Sequence, residues 1–99
     1  MASTLRYDTD YMRTSATKLD STATQMLQVK SRLNTSINSL VSNYWKSDAG
    51  DAFKETYSSD WGNNVDKYVA VLREMAKMLR RAANEYDAVT RTANRVTLP

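Results

Sequence analysis

No proline interrupts this chain before Pro99, and only two glycines, Gly50 and Gly62, stand among its 99 residues. A chain so poor in breakers can run as long helices, provided a buried stripe holds them. Met12, Ala16, Leu19, Ala23, Met26, Leu33, Ile37, Leu40 and Tyr44 recur at steps of four and three, with only Lys30 polar in that register. Ser, Thr and Asn crowd the same half and are mediocre helix formers. Burial of the seam, rather than propensity, must therefore keep it helical. With Asp8 or Thr9 as N-cap, the first helix is expected over about residues 9–43.

The second half repeats the period in Val65, Tyr68, Leu72, Met75, Leu79, Ala82, Tyr86, Val89, Ala93 and Val96, with Phe53, Tyr57 and Trp61 leading into it. Asp48 and Asp51 read as caps, because carboxylates are favoured at a helix N-terminus by its free N–H groups and macrodipole. A turn over about 44–50, a second helix over about 51–92 and a flexible C-terminal tail follow. Gly62 weakens that helix by about 1 kcal/mol relative to alanine and marks where it can kink or break.

Folding the stripes antiparallel about residue 47 sets Ala16 against Leu79, Leu19 against Met75, Ala23 against Leu72, Met26 against Tyr68, Leu33 against Trp61, Ile37 against Tyr57 and Leu40 against Phe53. Small residues oppose large ones repeatedly, as interdigitating layers require. The expected fold is all-α: a single domain, residues 1–99, forming an antiparallel helix-turn-helix hairpin. Val69, Ala76 and Ala83 on one flank of the second seam, Val71 and Met78 on the other, and Leu27, Val29 and Val41 in the first helix make the apolar surface wider than a two-helix seam needs. Two hairpins dimerising into a four-helix bundle would use it, with Leu27, Val69, Leu72, Ala76, Leu79 and Ala83 as interface. A monomeric hairpin of this size would bury little.

Composition narrows the chemistry. The chain has no histidine and no cysteine, which removes the usual general base, the thiol nucleophile and the commonest metal ligands. No catalytic, cofactor or metal site is expected, and the chain reads as no enzyme. Asp48, Asp51 and Glu55 lack calcium-loop spacing and read as caps and solvated charges. The N-terminal stretch lacks the apolar core of a signal peptide, and no run approaches the roughly 20 apolar residues of a membrane span. Net charge is +3. Arg73, Lys77, Arg80, Arg81, Arg91 and Arg95 form a basic strip that Glu74, Glu85 and Asp87 interrupt. It reads as a solvated face, with binding to nucleic acid or an anionic membrane surface as the alternative.

The stretch "NYWKSDAGDAF", Asn43 to Phe53, joins the two halves. Trp45 is expected as a buried plug at the closed end, with Gly50 relieving crowding near the turn. Helix, Tyr44-Trp45, short turn, Gly50-Asp51-Ala52-Phe53 and second helix resemble the WXG family of early-secreted-antigen-like proteins. The resemblance covers almost the whole chain. The family places Trp-Xaa-Gly in the turn; here Ser47 follows Trp45-Lys46, and the glycine comes at Gly50. The family's C-terminal Tyr-Xaa-Xaa-Xaa-Asp/Glu export signal is matched by Tyr86, with Thr90 at the acidic position. The resemblance implies a small protein of bacterial type VII secretion, virulence-associated, without enzymatic activity. It would be secreted independently of a signal peptide and cytoplasmic before export. The implied partners are a second copy or a related small helical protein, and a secretion ATPase or larger helical toxin. Tyr86, Val89 and Arg91 would serve export or partner recognition. The rival function is a cytosolic adaptor or chaperone-like hairpin for a larger secreted toxin.

Overall fold

The structure, a computed structural model, describes residues 7–96, with side chains through residue 93. Asp8 is extended, and its side chain accepts a hydrogen bond from the Tyr11 backbone N–H at 3.0 Å, capping the first helix. Helix α1, Thr9–Ser39, widens without interruption into a π-helical turn, Leu40–Tyr44. The backbone leaves the helical path at Trp45 and re-enters it after Ser47. Helix α2, Asp48–Thr56, passes through a second π-helical segment, Tyr57–Gly62, into helix α3, Asn63–Val96. Gly62 therefore lies in a widened stretch of a continuous arm, not at a break. Of the tail expected beyond residue 92, residues 93–96 continue α3, and residues 97–99 lie outside the described residues.

The arms run antiparallel as a hairpin 80 Å long, 25 Å wide and 16 Å thick. On α1 and its π turn the seam consists of Met12, Ala16, Leu19, Ala23, Met26, Lys30, Asn34, Ile37 and Val41. Leu33 and Leu40, expected in it, are exposed, and Tyr44 is 82% exposed. The cause is the helical repeat: eight turns of α-helix take about 29 residues, the interval from Met12 to Val41, whereas four strict heptads end at Leu40. A straight helix drifts about 20° per heptad, so a seam read at 3.5 residues per turn slides off the buried side.

On α3 the buried line runs Val65, Val69, Leu72, Ala76, Leu79, Ala83 and Tyr86. From Val65 the alternation of four and three can start with either step, and the structure starts with four. Tyr68, Met75 and Val89 consequently face outward. Two features favour this choice. Fully buried Ala16, Ala23, Ala76 and Ala83 add no bulk between the arms. Asp66, Arg73, Arg80 and Asp87, spaced by seven, also come to the side of the seam where α1 carries opposite charges. Lys30 Nζ meets both Asp66 oxygens at 2.7 and 2.8 Å, Arg80 meets Asp20 at 2.7 Å, and Arg13 meets Asp87 at 2.6 Å. Partly exposed pairs contribute only about 0.2–1 kcal/mol each, and all three agree with the rotation and register that the buried alanines set. The Lys30 stem lies over Gly62, and the Tyr57 hydroxyl donates to the Lys30 carbonyl at 3.3 Å. Among the described residues no large side chain is fully buried. The core of one hairpin is a thin line of alanine and valine.

Candidate interaction surfaces at the closed turn, the open edge and the paired ends

At the closed turn Ser47 has extended backbone, φ −164° and ψ 166°, and its hydroxyl accepts from the Gly50 N–H at 3.0 Å. It is the N-cap of α2. Asp48 and Asp51 lie in the first turn, where they favour the helix dipole rather than cap it. An extended φ suits any residue, so position 47 has no conformational need for glycine. Position 50 does need it. A Cβ on Gly50 would run into the Trp45 carbonyl oxygen and lie 3.3 Å from the indole ring. The glycine lets α2 start directly against the tryptophan backbone. The Trp45 ring tilts against Phe53 at a centroid distance of 5.6 Å and remains 37% exposed. The expected buried plug is thus a half-covered aromatic cluster, because the arms diverge into a turn with nothing beyond to close over it.

The two edges of the hairpin differ. One carries the ion pairs, with Arg73 and Lys77 beside Asp20 and Arg80. The other holds a groove of about 210 Å³ lined by Thr22, Gln25, Met26, Val29, Trp61 and Val65. Trp61 stacks on Tyr57 at 5.1 Å in the groove wall. From Trp61 the heptad positions Tyr68, Met75, Ala82 and Val89 continue along this edge, with Val71 and Met78 beside them. Tyr68, Val71, Met75, Met78 and Val89 are all exposed, as are Val29 and Leu33 on α1. The residues expected to meet a second chain are mostly spent inside the first. Val69, Ala76 and Ala83 are buried in the seam, and Leu27, Leu72 and Leu79 are half-buried. Along α3 the exposed apolar side chains gather on the Trp61–Met78 edge. Its signal in the sequence is a second heptad column on α3, about a quarter turn from the first.

At the paired ends of the arms the Tyr7 ring stacks on Tyr86, with centroids 4.3 Å apart and planes at 14°. The Tyr7 hydroxyl lies 3.1 Å from the Thr90 hydroxyl. Arg13 donates to Asp87 and, at 2.9 Å, to Asn84. The Arg13 hydrogen bond, helped by one from Thr9, holds the Asp87 carboxyl below the usual carboxylate range. Tyr86 is half-buried, while Val89 and Arg91 beyond it are exposed. The structure therefore brings Tyr86 and Thr90 together under Tyr7, a pairing that neither stripe announces.

The family model for proteins of 100 residues with WXG matches residues 4–89. The chain belongs to this family. Its members are small helical proteins associated with type VII secretion, and the hairpin described above is their fold. No curated protein matches significantly. Nor does any solved structure. Within the family pattern the chain keeps the tryptophan and moves the glycine, replacing the turn glycine by a capping serine. Among the described residues no helix is long and apolar enough to cross a membrane. The Asp48, Asp51 and Glu55 carboxylates form no metal-holding group among those residues.

Proposed function

We propose that the protein is a non-enzymatic substrate or partner of a bacterial type VII secretion system and works as a dimer joined through the Trp61–Met78 edge. The observation that carries the dimer is surface. The chain exposes 7738 Å², roughly 2,000 Å² more than the about 5,700 Å² of a compact monomer of its mass. A stable interface buries about 1,200–2,000 Å² in total. Much of that excess follows from the rod shape, 80 Å long and 16 Å thick, and one edge of the rod carries exposed Trp, Tyr, Met and Val side chains that water disfavours. A second helical hairpin, from this chain or a related small one, supplies a matching apolar edge and completes a four-helix bundle. Tyr86, Val89 and Arg91 are the segment read for export: Val89 and Arg91 stand exposed beside the half-buried Tyr86.

An export assay in the producing cell tests this reading. Tyr86→Ala should abolish release of the protein and leave its helicity and dimerisation unchanged. Normal release of that variant would refute the recognition segment. Thr90, standing where the family signal has an acidic residue, favours a second reading: an adaptor for a larger helical toxin. On that reading the wild-type protein stays in the cell bound to its client.

A further inference from the structure

We propose that Tyr7 is a movable cover on Tyr86: the Tyr7 side chain holds the recognition residue closed, and its release exposes Tyr86 to whatever reads it. The inference rests on the reading of Tyr86 as a recognition residue. Tyr7 stands before the Asp8 cap and outside α1, and it is 40% exposed. Asp8 has extended backbone, φ −124° and ψ 103°, and its side chain is tied forward to Tyr11. Rotation of the chain just ahead of Asp8 swings Tyr7 clear without breaking the cap or any turn of α1.

Among the described residues, the polar and aromatic contacts that oppose that swing are the stack on Tyr86 and the exposed hydroxyl pair with Thr90. An aromatic stack and one exposed hydrogen bond together hold a closed-to-open ratio on the order of ten to a hundred. That is closed enough to hide the ring and open enough for a binding partner to shift. The Arg13–Asp87 pair lies one turn inward on α1 and involves neither tyrosine. It keeps the arms together when Tyr7 leaves. The three contacts therefore divide into a fixed clamp at Arg13 and a releasable cover at Tyr7. The cover engages both positions of the family's export signal, Tyr86 by its ring and Thr90 by its hydroxyl.

Site-resolved nitration with tetranitromethane, read by mass spectrometry, measures the cover on the intact protein without any secretion component. Tyr44, the most exposed described tyrosine, is the internal reference. Wild-type Tyr86 should react several-fold more slowly than Tyr44. Tyr7→Ala should raise the Tyr86 rate about tenfold, as loss of a stack and a hydrogen bond implies, with Tyr44 and helicity unchanged. Tyr7→Phe keeps the stack and should leave Tyr86 slow. An unchanged Tyr86 rate in Tyr7→Ala overturns the proposal, whatever happens to export. In the producing cell, Tyr7→Ala should be released at least as fast as wild type. Slower release with Tyr86 demonstrably freed would also overturn it, since the tyrosine pair would then be the feature that is read. Normal release of Tyr86→Ala sinks the recognition reading alone, and nitration still decides whether the cover exists.

Discussion

Replacing Gly50 by alanine reverses a familiar expectation. Gly50 lies in the first turn of α2, and glycine in a helix is destabilising by roughly 0.5–1 kcal/mol relative to alanine. A compatible Gly→Ala change also restricts the unfolded chain and stabilises by about 0.4–1 kcal/mol. Propensity alone therefore predicts a more stable protein. Here the new Cβ would collide with the Trp45 carbonyl oxygen and press on the indole at 3.3 and 3.4 Å. The carbonyl is backbone and cannot rotate away, so α2 or the turn must shift, a strain of roughly 1–3 kcal/mol. The net expectation is destabilisation by about 1–2 kcal/mol, or a melting midpoint roughly 5–15 °C lower for a domain of this size. Gly62→Ala is the control. Its Cβ would meet the flexible Lys30 stem at 3.4 Å and the Tyr57 carbonyl at 3.6 Å, ordinary contacts, so this variant should gain about 0.5 kcal/mol. Thermal melts followed by circular dichroism at one fixed protein concentration compare the two. A Gly50→Ala protein as stable as Gly62→Ala would refute the close approach of α2 to the Trp45 backbone.

Three further changes probe the same construction. Trp45→Ala should cost roughly 2–3 kcal/mol in chemical denaturation, short of the about 3–5 of a core aromatic, because the residue is 37% exposed; no change in midpoint would detach Trp45 from the fold. Ser47→Ala removes the cap of α2 and should cost about 1 kcal/mol, whereas Ser47→Gly should cost only a few tenths. Equal losses in the two would mean that the serine does not cap. Because Arg13 holds the Asp87 carboxyl below its ordinary value, the pair adds stability that is fully present above the unfolded pKa of about 4 and lost as pH falls through the lower folded value. Arg13→Gln should therefore lose less stability than wild type on acidification below about pH 4; parallel melting curves against pH would rule the pair out as a source of acid sensitivity.

Much of the hairpin was legible in the stripes. From Met12 to Met26 the α1 seam lies where the alternation of apolar residues puts it, and Asp8 caps as its type and position suggest. Beyond Lys30 a strict heptad departs from a 3.6-residue helix, and Asn34 and Val41 take the places read for Leu33 and Leu40. On α3 two apolar columns share one helix. Hydrophobicity favours the larger Tyr68 and Met75 for the seam, while close packing favours Val69, Ala76 and Ala83. A second signal that agrees with the packing was present in the sequence as charge: Asp66, Arg80 and Asp87, at multiples of seven, against Lys30, Asp20 and Arg13. Folding about residue 47 already brings Tyr86 near Asp8, so the meeting of the two ends was legible, whereas the stack of the Tyr7 ring on Tyr86 was not, because it depends on where the backbone ahead of the Asp8 cap places that ring. The serine cap at the turn was legible in kind, since serine ahead of aspartate opens many helices, but the collision that requires Gly50 needed coordinates.

Sedimentation equilibrium of wild type beside a Met75→Asp, Met78→Asp variant tests the central claim, that the free apolar edge is where a second hairpin sits. At micromolar concentration the wild-type protein should sediment at twice the 11.2 kDa chain mass. The variant, with two carboxylates on that edge, should fall to the mass of one chain and retain its helical spectrum. A wild-type protein that is monomeric alone and with any related small helical chain encoded beside it, or a variant that dimerises as tightly as wild type, would contradict the account.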